Sequence, residues 1–148
     1  MQNNKLNILV VDEDVSNISY FTLTALGQVS DISIHVLATG TRKWDPLKYS
    51  RYISSYRTVK RESDDDFLNA IRYHVKATDS NVIMPVTERT MKFFSTKQIE
   101  LGDICMIPAV ASIHVLDQVT SKWGLYNWLK ENGFPASQCV LGNANTEE

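Results

Sequence analysis

The sequence predicts an α/β domain built on a mostly parallel sheet, and three observations carry that prediction. Short β-type runs alternate along the chain with stretches of helical periodicity, the pattern of strands joined by helical crossovers. The first run, Ile8-Leu9-Val10-Val11, is continuously apolar, as a strand covered on both faces requires. The size also fits. A chain of 148 residues with 43% hydrophobic and 22% charged side chains has an ordinary globular composition and buries a normal core.

The elements follow in order. Residues 6–11 read as the first strand and run into Asp12-Glu13-Asp14. Ser16 or Asn17 suits the N-cap of the next helix. Ile18, Phe21, Ala25 and Leu26 recur there at helical spacing and are expected to face the sheet, with Leu23 off that stripe. Gly27 suits the helix end. Residues 32–37 alternate as a second strand, and a loop with Gly40, Trp44 and Pro46 follows. Residues 52–59 form a weaker strand candidate. Ser63 followed by Asp64, Asp65 and Asp66 is a helix-start signature, with acids over the positive end of the macrodipole. Phe67, Leu68, Ile71 and Val75 then mark the buried face of that helix. Residues 81–86 read as a buried strand ending in Thr87-Glu88. Met91, Phe93 and Phe94 suggest a helix, and residues 104–107 a short strand. Residues 112–119 and 121–132 read as helices, the second closed by Gly133 with Pro135 beyond.

Charge and cysteine usage exclude several functions. Fifteen Lys+Arg against seventeen Asp+Glu leave a net charge of −2. With a pI of about 5.9 there is no sign of a dedicated nucleic-acid face. Cys105 and Cys139 match no metal-ligand spacing and read as reduced thiols. His35, His74 and His114 have no partner at ligand spacing, so no metal site is expected. The apolar runs are too short for a bilayer span. A cytoplasmic protein without a membrane partner is expected.

The acids after the first strand are the first chemical candidate. The run Ile8 to Asp14 is similar to the opening of response-regulator receiver domains. That family also needs a phosphoacceptor Asp closing the third strand and a Lys closing a later one. The third candidate strand ends Thr58-Val59-Lys60, and Lys97 follows no strand, so the receiver reading fails. No Gly-x-Gly-x-x-Gly follows the first strand, which argues against a dinucleotide cradle. If the strand at Val82 returns to the other side of the first strand, the strand order reverses there. Ligands of open α/β sheets bind at such a point, beyond the carboxyl ends of the strands. Asp12, Asp14, Thr87 and Glu88 would then flank one crevice. The alternative is that these are solvated acids capping the next helices.

The most specific stretch runs from Thr120-Ser121-Lys122-Trp123-Gly124 to Gly133-Phe134-Pro135-Ala136-Ser137. It resembles the entry to an ATP-grasp domain, which reads Asp-Lys, about ten helical residues, then Gly-Ile-Pro-x-Pro. With the first strand, Ser33-Ile34-His35-Val36-Leu37, the segment 48–59 and Val82-Ile83-Met84-Pro85-Val86-Thr87-Glu88, the resemblance covers nearly the whole chain. The sequence resembles the pre-ATP-grasp domain of a carboxylate–amine ligase, of the carbamoyl-phosphate-synthase large-subunit-like kind. Two positions depart from the pattern: Ser121 stands where Asp is usual, and Ala136-Ser137 replaces the second Pro. The first-strand loop is also acidic where many relatives carry Gly, an arrangement expected to repel a carboxylate or phosphate.

The resemblance implies a Rossmann-like three-layer domain over residues 1–119. Residues 120–148 would be a helix and linker leading to an ATP-grasp domain of the same polypeptide. It implies that Lys122 reaches ATP phosphates, for which a flexible ammonium is suited; an exposed surface lysine is the alternative. Asp12, Asp14, Thr87 and Glu88 would border the site of small-molecule carboxylate and amine substrates. ATP and Mg²⁺ would serve the full-length enzyme, with neither expected to bind this chain tightly alone. No catalytic nucleophile or metal cage is visible in the chain itself. A free-standing, non-catalytic Rossmann-like module that binds a small molecule or a partner is the competing reading.

Overall fold

The computed structural model describes residues 5–13, 17–40 and 45–138. Asp14, Ser16, Trp44, Cys139 and residues 142–148, all singled out in the sequence, lie outside the described residues. The chain divides into two compact units, Met1–Val110 and Ala111–Glu148.

The first unit carries a four-stranded parallel sheet. The strands are β1 (Leu6–Glu13), β2 (Ile32–Thr39), β3 (Ser55–Val59) and β4 (Val82–Pro85), in the order β3-β2-β1-β4. The α/β, Rossmann-like expectation holds. Between the strands lie α1 (Asn17–Leu26), a 3-10 turn (Pro46–Tyr49) and α2 (Asp64–Thr78). After β4 come α3 (Glu88–Thr96) and the short α4 (Gln98–Gly102), which the sequence pattern did not separate. Each side of the sheet has its own core. Leu9, Val11, Leu37 and Ile83 pack with Phe67, Ile71, Phe93, Phe94 and Leu101 of α2 to α4. Ile8, Val10, Ile34, Val36 and Ala38 pack with Leu23 of α1 and Leu47 of the 3-10 turn. Helices thus cover both faces of the sheet.

Local chemistry explains the boundaries. The Ser63 hydroxyl accepts from the Asp66 amide, and three aspartates sit over the first turn of α2. Thr87 and Thr90 cap α3 reciprocally. The edge of β4 is covered by a single parallel bridge from Met106, which is all that the short strand expected at 104–107 becomes.

Helix α1 reverses the expected face. Ile18 and Phe21 are 61% and 68% exposed, whereas Leu23 is buried with Ser19. The expected apolar stripe runs through the larger side chains. The face that meets the sheet instead runs through Ser19, Leu23 and the half-buried Leu26. Gly27 is needed for space: a Cβ there would lie 2.3 Å from Cδ1 of Tyr52. The weaker strand also contracts, from 52–59 to Ser55–Val59.

The second unit holds α5 (Ile113–Thr120) and α6 (Lys122–Glu131). Ser112 and Ser121 cap them. Gly124 meets the end of α5 so closely that a Cβ would lie 2.4 Å from the Gln118 carbonyl oxygen. Gly133 takes the left-handed conformation (φ 72°) that closes α6. In α6 Tyr126 and Leu129 are half-buried, Trp123 is exposed, and no residue of α6 is fully buried. Among the described residues no helix is long and apolar enough to cross a membrane.

Candidate functional site

The strand order reverses at β1. Chain progress from β1 runs outward through β2 to β3, and β4 returns to the other side. The carboxyl ends of all four parallel strands share one edge of the sheet, where such folds place ligands.

Strand β1 continues two residues beyond the apolar run, so Asp12 and Glu13 are strand residues and not loop residues. Strand alternation then sends their side chains to opposite faces. Asp12 follows Ile8 and Val10 to the α1 side, where its charge acts on Tyr56. Tyr56 donates a hydrogen bond to the buried carboxylate of Asp45. Burial chiefly, then the Asp45 hydrogen bond and the Asp45 and Asp12 charges, hold the Tyr56 hydroxyl well above the ordinary tyrosine range.

Glu13 follows Leu9 and Val11 to the α2 and α3 side. Its side chain is fully buried and receives a hydrogen bond from Arg61, which also donates to Asp64. Burial works against the Arg61 charge. The hydrogen bonds and charges of Asp64 and Glu13 outweigh it, and the guanidinium titrates above its ordinary value. Arg61 lies over the rings of Phe67 and Phe93, 5.0 and 4.9 Å from their centroids. Nε of Arg89, in the first turn of α3, approaches Oε1 of Glu13 at 3.6 Å. The second oxygen, Oε2, is buried and accepts no hydrogen bond from the described residues.

These groups line a crevice of about 450 Å³. Thr39 and Gly40 form its β2 side, and Lys60 and Arg61 its β3 side. Gly40 adopts φ 132°, a conformation that favours glycine.

The other expected site residues are placed as follows. Thr87 is nearly buried and spends its hydroxyl on the α3 cap. Glu88 is exposed and pairs with Lys92 at 3.1 Å. Neither lines the crevice, and nor does Asp12. Lys122 belongs to the second unit, at the first position of α6. There it borders a cavity of about 280 Å³ with Leu125, Tyr126, Leu129 and Ser137. Among the described residues no group of three His, Cys, Asp or Glu side chains is placed to hold a metal ion. Arg61 and Arg89 were not anticipated. Each is an isolated arginine in the sequence, 48 and 76 positions from Glu13, and no local spacing links them.

No family model matches the chain, and no curated protein matches it. Solved structures do resemble it. A single-chain, multi-domain long-chain acyl-CoA carboxylase is similar over 90% of this chain and 14% of its own, with TM-score 0.57 and 12% identity. A Rhizobium etli pyruvate carboxylase is similar over 95% of this chain and 14% of its own, with TM-score 0.55 and 11% identity. The biotin carboxylase domain of a single-chain bacterial carboxylase is similar over 95% of this chain and 32% of its own, with TM-score 0.52 and 10% identity. The chain therefore spans between a seventh and a third of these proteins. At such identities the likeness is one of fold.

Proposed function

We propose that this chain is the N-terminal domain of an ATP-dependent ATP-grasp ligase that joins a carboxylate to an amine through an acyl-phosphate. The observation that carries the reading is the extent of the likeness. Two carboxylases match at least nine-tenths of this chain with only a seventh of their own length, as a domain inside a larger ligase would. The biotin carboxylase domain adds a match over a third of its length. The run from Ser121-Lys122 to Gly133-Phe134-Pro135 independently resembles the entry to an ATP-grasp domain.

In this reading Lys122 meets the ATP phosphates, and the small-molecule substrate meets the crevice through Glu13, Arg61 and Arg89, not through Asp12, Thr87 and Glu88, which do not line it. The cavity beside Lys122 is about 280 Å³. That is below the roughly 300–1,000 Å³ of ordinary small-molecule sites, so ATP needs walls from the C-terminal domain of the same polypeptide. Mg²⁺ likewise needs acids from that domain, since the described residues offer no three-ligand set. A half-buried α6 fits a helix that finishes its packing against a further domain. The carbamoyl-phosphate-synthase-like variant and a cytoplasmic setting belong to the same proposal.

The test is ATP turnover by the full-length native polypeptide across paired carboxylates and amines. ADP and phosphate release that requires both partners is expected. A full-length protein that consumes no ATP with any pair, yet binds a small molecule through this domain, would favour a non-catalytic binding module.

A further inference from the structure

We propose that the outer edge of β3 takes up an extended acidic segment of a partner protein as an added strand of the sheet. Strand β3 ends the order β3-β2-β1-β4 and, among the described residues, pairs with β2 alone. The edge at β4 carries the Met106 bridge, and β3 has no counterpart among those residues. An edge strand presents a row of unpaired backbone N–H and C=O groups, the template on which an added strand forms. A cavity of about 600 Å³ lies along it, lined by residues 53–58 and by Lys48 of the 3-10 turn. Its wall is thus mainly the strand itself.

Charge decides what fits. Tyr56 pairs with Val36 of the α1-side core and Arg57 with Leu37 of the α2-side core, so the two side chains leave β3 on opposite faces. Nζ of Lys48 lies 5.4 Å from the centroid of the Tyr56 ring, which puts that charge on the α1 side of the edge. Arg57, the middle residue of β3, carries its charge on the other side. Both cations are exposed, and no described residue forms an ion pair with either. An incoming strand sends successive side chains to alternate faces, so two consecutive carboxylates meet Lys48 and Arg57 together.

The same charges disfavour a second copy as the occupant. Pairing β3 antiparallel with itself over its full length sets Arg57 opposite Arg57, and like charges directly opposite are destabilising. A short strand with a charged centre resists self-association. It stays open to a strand of opposite sign.

The proposal does not rest on the ligase reading, and peptide binding tests it without ATP. The probe is a peptide of about seven residues, long enough to span β3, built of valine and threonine around two central glutamates. It is titrated into the isotope-labelled chain and followed by amide NMR. Saturable shifts centred on Ser55–Val59 are expected, with no saturation by a counterpart carrying two lysines. Methylating alternate backbone nitrogens of the peptide should abolish binding in one set of positions and spare it in the other, because a strand pairs through one edge at a time. Lys48→Ala and Arg57→Ala should each weaken binding about 1.4- to 5-fold, the range for exposed ion pairs. The double variant Lys48→Glu with Arg57→Glu should prefer the dilysine peptide. Equal binding of the two peptides, indifference to methylation, or no saturation with either would overturn the proposal. So would a dimer of the chain alone that protects the β3 amides from exchange.

Discussion

Arg61 reaches the buried carboxylate of Glu13 from 48 residues away, with its guanidinium laid over the rings of Phe67 and Phe93. The contact ties the end of β1 to the segment that enters α2. It also gives the buried Glu13 carboxylate its shortest charged partner among the described residues.

Removing Arg61 should therefore unsettle the fold. Arg61→Met leaves a buried carboxylate without its main partner, a change that costs about 3–5 kcal/mol in comparable sites. The double variant Glu13→Leu with Arg61→Met should recover a large part of that loss, since no buried charge remains. Urea unfolding of the two variants checks this. A single variant that loses less than about 1 kcal/mol would mean that the pair behaves like an exposed one.

Helix α1 supplies a second test. Leu23 is 1% exposed and Phe21 is 68% exposed. Leu23→Ala should cost about 2–5 kcal/mol. Phe21→Ser, which removes the larger apolar group, should stay within about 0.5 kcal/mol of the parent. Thermal or urea unfolding separates the two outcomes.

The contrast on α1 shows what the sequence could and could not carry. The first strand and the α2 face were legible because Ile8 to Val11 is an unbroken apolar run, and Phe67, Leu68, Ile71 and Val75 follow one helical periodicity with no competing stripe. The order reversal at β1 was only a condition in the sequence, and the sheet order meets it. On α1 two apolar stripes compete, and only the sheet decides between them. The crevice was half legible. The Asp12-Glu13-Asp14 run marks the right end of β1, yet which acid lines the crevice depends on β1 extending through Glu13. The arginines come from distant elements, so only the folded chain brings them to it.

Close approach at Gly27 gives a third prediction. Gly27→Ala places a methyl 2.3 Å from the Tyr52 ring. Overpacking of this kind should cost about 1–3 kcal/mol. In a Tyr52→Ala background the same substitution should be nearly neutral. An equal cost in both backgrounds would assign the effect to something other than the ring.

Thiol chemistry offers a fourth. Burial pushes the Cys105 thiol up from 9.0 to about 11. Below pH 9 its thiolate fraction should be about 100-fold lower than in the unfolded chain. Alkylation by iodoacetamide at pH 8, in a Cys139→Ser variant, should be slow until denaturant is added. A raised folded-state value is a stabilising contribution that is complete below pH 9 and is lost as pH rises through about 11. Tyr56, also raised by burial and Asp45, adds to the same alkaline loss above its ordinary value of 10.0. Stability measured from pH 8 to 11 should therefore fall, and less steeply in Cys105→Ala with Tyr56→Phe.

The central claim, that this domain works as one part of a larger ligase, has a direct test in the size of the native polypeptide. An antibody raised to this domain would be used to measure the mass of the untagged protein in its own cells. The account predicts a single species more than twice the 16.8 kDa of this chain. A species at the mass of this chain alone would contradict it and leave a free-standing binding module in its place.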